Sequence, residues 1–192
     1  MNARWRAFFL DWSETAEHRA ALERARTTIA EALARSQRPY VAYSGGKDST
    51  VLTHLVLQQA PETMVLHWDY GRAFVPAPVF AEILANARAL GVRNLRVETS
   101  PLYAKLGRRA QNVLGRHYIG RLLPQLAAEG YDLAFVALRA EESLKRRRRI
   151  RAERSLGPIR ECWPLAEWSW RDVWAYVVVN GLPYLSLYDE RA

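Results

Sequence analysis

The sequence predicts an α/β fold, a single Rossmann-like parallel sheet flanked by helices, on three observations. Short apolar runs suited to strands alternate with amphipathic helical ones between residues 39 and 138. The first such run, Tyr40-Val41-Ala42-Tyr43, passes through Ser44-Gly45-Gly46-Lys47-Asp48-Ser49-Thr50 straight into the helical pattern that opens at Val51. No repeat, low-complexity linker or composition shift divides the 192 residues, so one domain is expected over 1–192, with an N-terminal helix at 11–36 and a core at about 39–189.

Each element has a local reason. Residues 11–36 read as one helix, because Asp11 can cap with Glu14 three residues on, and Leu22, Ala25, Ile29 and Leu33 share a face. Arg38-Pro39 ends it. After the first strand and the glycine turn, a helix runs to about Gln59 and closes at Ala60-Pro61. A second strand covers 63–68 and ends at Asp69-Tyr70-Gly71, a helix spans roughly 78–90 up to Gly91, and a third strand covers 95–99. Residues 101–129 read as a helix broken in two, since Gly107, Gly115, Gly120 and Pro124 interrupt it. The fourth strand is expected at 131–138, and a short buried strand around Cys162.

The turn at residues 44–50 has the chemistry of an anion site. Adjacent glycines allow positive φ and close approach of the backbone, and the free amides of the next helical turn point at whatever fills the turn, with the positive end of the helix dipole behind them. Lys47 adds a mobile charge, and Ser44, Ser49 and Thr50 add hydroxyls, so the natural ligand is a phosphate chain. The spacing fits neither a Walker A loop nor a G-x-G-x-x-G fingerprint. In a parallel sheet, other ligand contacts come from the carboxyl ends of neighbouring strands. Asp69, at the end of the second strand, can cap its own turn or hold Mg²⁺ or a ribose hydroxyl, and Arg139, after the fourth, has a planar fork suited to phosphate or sulfate.

Composition sets bounds. With 49% hydrophobic and 25% charged residues the chain reads as a globular protein, without a run long enough to span a membrane or serve as a signal peptide, and the expected address is the cytoplasm. The lone Cys162 excludes an internal disulfide and a cysteine-based zinc site. Lys and Arg number 28 against 20 Asp and Glu, a net charge of +8 that attracts polyanions or charged nucleotides. Much of the excess lies in Lys145-Arg146-Arg147-Arg148-Arg149-Ile150-Arg151 with Arg154, and a looser set comprises Arg108, Arg109, Arg116 and Arg121.

The turn closely resembles the SGGxDS loop of the PP-loop ATP pyrophosphatases, the adenine nucleotide α-hydrolase-like superfamily. Later segments resemble one branch of it, the phosphoadenylyl-sulfate (PAPS) reductases and the related ATP sulfurylase small subunits. Asp69-Tyr70-Gly71-Arg72-Ala73-Phe74 is similar to D-T-G-x-x-F, and Leu138-Arg139-Ala140-Glu141-Glu142-Ser143 with Arg146 to G-L-R-x-x-E-S-x-x-R. The stretch from Pro164 to Val177, with Leu182-Pro183-Tyr184 and Leu187-Tyr188-Asp189, is similar to P-L-x-x-W-[ST]-x-x-D-V-W-x-Y-I and L-P-Y-x-x-L-Y-D. The residues alone make Ser169–Asp172 a capping box and the Trp170, Val173, Trp174, Val177 face a core helix. The chain departs from the pattern at Val75-Pro76, at Ala137, and at its end, Asp189-Glu190-Arg191-Ala192, where the reductases carry an E-C-G-x-H-type tail.

The resemblance implies an adenine nucleotide, ATP or (phospho)adenylyl sulfate, as substrate with Mg²⁺, bound by Ser44, Gly45, Gly46, Lys47, Asp48, Ser49, Thr50, Asp69, Gly71, Arg139, Glu142, Ser143 and Arg146. Lys47, Arg139 and Asp69 are the expected catalytic residues, and Asp69 the expected metal ligand. Arg146 is expected at the nucleotide's charged end, with Arg148 and Arg149 steering the ligand in, and the basic run mobile until an anion orders it. The leading expectation is adenylyl transfer with pyrophosphate release in sulfur metabolism. Thiol-dependent reduction, using Cys162 or a cysteine from another protein, is the alternative within the family. A non-catalytic subunit binding nucleotide or nucleic acid in a sulfur-modification system is the alternative from a different functional class, and a protein partner or a homo-oligomer is among the expected partners. On the φ argument, Gly45→Val is expected to abolish nucleotide binding without unfolding the chain.

Overall fold

A computed structural model of the chain describes residues 1–189, with the backbone alone at Asn112 and Leu114; Glu190 to Ala192, where the tail was sought, lie outside the described residues. Five parallel strands, β1 (Pro39–Ala42), β2 (Met64–Asp69), β3 (Leu95–Thr99), β4 (Leu133–Val136) and β5 (Arg160–Cys162), form one sheet in the order β3-β2-β1-β4-β5. Strand order reverses beside β1. The crevice between the carboxyl ends of β1 and β4 is therefore the topological switch point, where such sheets bind ligands.

Period-two alternation divides the core. Val41, Tyr43, Val65 and Phe135 face one layer, and Tyr40, Leu66 and Ala134 the other. Helices α2 (Ala16–Ala34), α3 (Lys47–Gln59), α4 (Ala77–Ala89) and α9 (Trp170–Val179) contribute Ile29, Leu52, Ile83 and Val173 to the first layer. The second is closed by Leu122, Leu123 and Leu126. Burial on both faces is what a parallel sheet requires.

The N-terminal helix differs from its expectation. Asp11 does not cap a helix at 11–36; it lies in the last turn of a separate helix, α1 (Ala3–Ser13). Thr15 is the break. Its extended backbone starts α2 afresh, its hydroxyl accepts from the His18 amide and donates to the Trp12 carbonyl at 2.7 Å. Helix α1 then packs on α9 through Trp5, Phe9, Trp170 and Trp174. The capping box is present: Ser169 Oγ accepts from Asp172 N, and the Asp172 carboxylate accepts from Ser169 N at 2.8 Å. That carboxylate also accepts a hydrogen bond from Trp12 Nε1 at 2.9 Å and meets His18 Nδ1 at 3.0 Å, joining α1, α2 and α9.

Residues 101–128 are more fragmented than a helix broken in two. They form α5 (Pro101–Leu106), a 3₁₀ stretch (Gly107–Val113), α6 (Leu114–His117), a π-helical turn (Tyr118–Leu122) and α7 (Leu123–Ala128). Gly107, with φ of +51°, ends α5, and Pro124 occupies the first turn of α7. The basic run is helical, α8 (Leu144–Arg151), N-capped by the Ser143 hydroxyl.

Candidate functional site

A cleft of about 340 Å³ opens at the switch point. Ala42 and Tyr43 at the end of β1, and Val136 and Ala137 at the end of β4, form its floor. One end is polar, built from Ser44, Gly46, Asp48, Ser49, Glu142 and Arg146; the other is apolar and aromatic, built from Leu66, Trp68, Tyr70 and Tyr118, with Tyr188 also at the wall.

The polar end is organised by the loop's own hydroxyls. Ser49 Oγ accepts from Ser44 N at 3.2 Å, donates to Gly46 O at 2.9 Å and lies 3.0 Å from Ser44 Oγ, which accepts from Gly46 N at 3.3 Å. These bonds hold the turn open as a cradle. Gly46 is the N-cap of α3 and supplies no side-chain cap, so the first amides of the helix, from Lys47 on, lack helical acceptors. An anion is the partner that geometry suits.

The two glycines work differently. Gly45 has φ of +83°, and a Cβ there would lie 2.5 Å from Ile83 Cγ1. Its lack of a side chain serves packing against α4 as well as the turn. Gly45→Val therefore strains the fold itself, and the expectation that it would spare folding is corrected. Gly46 has an ordinary φ of −72°, and a Cβ on it would meet only Ser44 Oγ at 3.4 Å and Tyr188 Oη at 3.5 Å, within the cleft wall.

The charged residues are tied to one another. Asp48 accepts from Lys47 Nζ at 2.7 Å and from Arg139 Nε. Arg139, 4% exposed, also donates through Nη1 to Glu141 at 2.7 Å and to the Trp168 carbonyl at 3.2 Å. The guanidinium fork expected on phosphate is thus engaged by protein carboxylates and lies outside the cleft lining. Lys47 likewise sits on Asp48, 5.7 Å from the centre of the Tyr188 ring. Asp69 caps its own turn: one oxygen accepts from Gly71 N at 2.9 Å and the other from Arg72. Thr50 is buried in α3, and Ser143 caps α8 rather than facing the cleft. Glu142 and Arg146 line the cleft and pair with each other. Arg149 is bound to Glu161, whose carboxylate also accepts from Trp163 Nε1 at 2.9 Å and Leu156 N at 2.9 Å. That makes Arg149 a brace between α8 and β5 rather than a steering charge.

The donor set fits an adenine nucleotide, with aromatic walls for a base and uncapped amides for phosphates. It does not fit a resident Mg²⁺ ion as the sequence placed it, because both Asp69 oxygens are occupied and the described residues gather no group of three or more His, Cys, Asp or Glu able to hold a metal. Burial pushes the Tyr118 phenol up to about 12, and raises Tyr70 as well, so both rings are neutral walls at physiological pH. Cys162 lies on β5, away from the cleft lining, and burial pushes its thiol up to about 11 against a smaller opposing pull from Arg160. It is a thiol, not a thiolate, at neutral pH.

The aromatic end was missing from the sequence reading. Trp68 shares its strand face with Leu66, a signal that alternation along β2 carries, whereas Tyr118 sits in a π turn whose position no local pattern gives.

A parallel sheet with a glycine-turn anion loop at its switch point defines a nucleotide-binding α/β domain. The chain matches the model of the phosphoadenosine phosphosulfate reductase domain over residues 38–191 and belongs to that family, within the adenine nucleotide α-hydrolase-like superfamily. It is 28% identical over 166 residues to "Phosphoadenosine 5'-phosphosulfate reductase" of Xanthomonas campestris pv. campestris (strain B100), covering 80% of this chain and 67% of that protein. It is 28% identical over 221 residues to "Sulfate adenylyltransferase subunit 2" of Rhodopseudomonas palustris (strain BisB18), covering 93% of this chain and 64% of that protein. The fold is similar to the crystal structure of a PAPS reductase from Candida auris in a phosphate complex, with a TM-score of 0.61, 13% identity, and coverage of 87% of this chain and 84% of that one. No helix among the described residues is long and apolar enough to cross a membrane.

Proposed function

We propose that the chain binds an adenine nucleotide in the switch-point cleft and transfers its adenylyl group, releasing pyrophosphate. The observation that carries this reading is the uncapped start of α3 at Gly46, opening into the same cleft as the Trp68 and Tyr118 rings. In this reading the base lies against the rings, the β and γ phosphates take the loop amides, and the α phosphorus stands between. An acceptor oxygen attacks the α phosphorus, the bond to the β-phosphate oxygen breaks, and pyrophosphate leaves with the electron pair. Preorganised amides stabilise the charge developing on the leaving group without transferring protons. Arg146 is the cationic side chain of the cleft lining and can leave Glu142 for a phosphate. Lys47 and Arg139 act as positioning residues, since both hold Asp48 and through it the first turn of α3.

Magnesium, which the family resemblance implies, would arrive with the phosphates of ATP rather than wait on Asp69. The names of the two relatives support two reaction classes, transfer of an adenylyl group to sulfate and reduction of a sulfated nucleotide. Adenylyl transfer is preferred over thiol-dependent reduction because Cys162 is a protonated thiol outside the cleft lining. Calorimetry with ATP and with phosphoadenylyl sulfate, followed by a pyrophosphate-release assay with sulfate as acceptor, tests the proposal. Binding of ATP with release of pyrophosphate supports it; reduction of phosphoadenylyl sulfate to sulfite that is lost in Cys162→Ser overturns it.

A further inference from the structure

Among the described residues, the two densest runs of Lys and Arg without an ion pair lie on segments that each send one side chain into the cleft lining. In one, α8 carries Arg146 into the cleft lining and braces itself through Arg149 on Glu161. That leaves Lys145, Arg147, Arg148, Arg151 and Arg154 exposed, with no ion pair recorded for them among the described residues, and Glu153 is the single acidic residue between 144 and 154. In the other, Tyr118 reaches into the same cleft from a segment, residues 105–121, that contains no Asp or Glu. Its Arg108, Arg109, Arg116 and Arg121 are exposed and likewise without a recorded ion pair. Elsewhere Arg19, Arg24, Arg72, Arg93 and Arg96 are paired with carboxylates, and the arginines without an ion pair, such as Arg26, Arg38, Arg88 and Arg171, are spread singly over several elements.

One nucleotide cannot use this surface, because the cleft takes a single small ligand and Arg146 already serves it. Two basic segments poor in acidic residues that meet at one cleft suit a flexible polyanion that runs from one to the other. We propose that a single-stranded nucleic acid docks across the cleft mouth, its phosphates on α8 and on residues 105–121. A single strand is preferred to a duplex because α8 is only eight residues long and braced to β5, so it cannot enter a groove as a recognition helix. A single strand can follow the contour of both segments, whereas duplex DNA is stiff on this length scale. Binding of this kind is governed by counterion release and is sequence-tolerant. It does not depend on the adenylyl-transfer reading.

Fluorescence anisotropy with a labelled 20-nucleotide thymidine strand, over a range of salt, tests this inference. Arg147→Glu/Arg151→Glu on one segment and Arg108→Glu/Arg109→Glu on the other should each weaken binding on the order of tenfold at moderate salt, and lower the slope of log affinity against log salt by roughly 1 to 2. Arg88→Glu/Arg93→Glu removes the same charge at the opposite, amino-terminal edge of the sheet and should change affinity by less than about threefold. Unchanged urea-unfolding midpoints in each variant show that the fold survives. Equal losses in all three variants would reduce the effect to net charge and overturn the proposal. So would tighter binding of a matched duplex, displacement by poly-glutamate at equal charge concentration, or no binding of the strand at low salt.

Discussion

Replacing Gly46 by alanine separates the ligand chemistry of the loop from its folding. At φ of −72° and ψ of 156° any residue is at ease, and the new Cβ would meet Ser44 Oγ at 3.4 Å and Tyr188 Oη at 3.5 Å, ordinary contact distances. Alanine is a poorer N-cap than glycine, an effect partly offset because the unfolded chain loses freedom, so stability should stay within about 1 kcal/mol of the parent. Binding should suffer, since the methyl group would stand in the cleft wall beside the amides meant for phosphate. A loss of about 1.5 to 3 kcal/mol is expected, the range for a charge-assisted hydrogen bond, or roughly ten- to more than a hundredfold in affinity. Gly45→Val is the contrast. There a β-branched residue would occupy φ of +83° with its Cβ 2.5 Å from Ile83 Cγ1, and left-handed strain plus overpacking should cost about 2 to 5 kcal/mol of stability. Calorimetric titration with ATP and urea unfolding read the two quantities separately. Gly46→Ala with full affinity, or Gly45→Val with full stability, would refute the reasoning.

Arg139→Ala removes one partner from Asp48, which keeps Lys47, and from the part-exposed Glu141, and should cost about 1 to 3 kcal/mol by urea unfolding; a variant as stable as the parent with ATP binding lost would instead make Arg139 a direct ligand contact. Cys162→Ser should leave pyrophosphate release nearly unchanged, and its parent thiol should react slowly with iodoacetamide at pH 7, because burial holds it protonated up to about pH 11. Burial opposes the Asp172 charge, but hydrogen bonds from His18, Ser169 and Trp12 outweigh it and hold the carboxyl below its ordinary 3.8. Its contribution is therefore present above pH 3.8 and lost as pH falls below it, so Asp172→Asn should cost about 3 kcal/mol at pH 7 and flatten the acid limb of stability against pH.

The core of the fold was legible because its signals are local. Short apolar runs bounded by turn residues gave β1 to β4 to within two residues or so, with β3 at its exact bounds, and Pro39, Pro61 and Gly91 punctuate the helices. The family motifs placed Glu142 and Arg146 at the cleft. What failed depends on long-range partners. Asp11 has the sequence context of a cap, but Thr15 wins because α1 buries Phe9 against α9 and ties Trp12 to Asp172, 160 residues further along the chain. Arg139 has the chemistry of a phosphate ligand, yet the same fork suits a carboxylate, and only the fold brings Asp48 and Glu141 within its reach. Asp69 is read equally well as a metal ligand and as a turn cap, and the structure places the Gly71 amide on it. Tyr118 reaches the cleft through a π turn set by tertiary packing.

Where ATP sits decides the proposed function most directly. A crystal structure of the chain soaked with ATP and Mg²⁺ should place the terminal phosphates on the amides that follow Gly46, the base against Trp68 and Tyr118, and Arg146 released from Glu142 onto a phosphate oxygen. ATP bound elsewhere on the surface, with the Gly46 turn empty and the Arg146–Glu142 pair intact at saturating nucleotide, would contradict it.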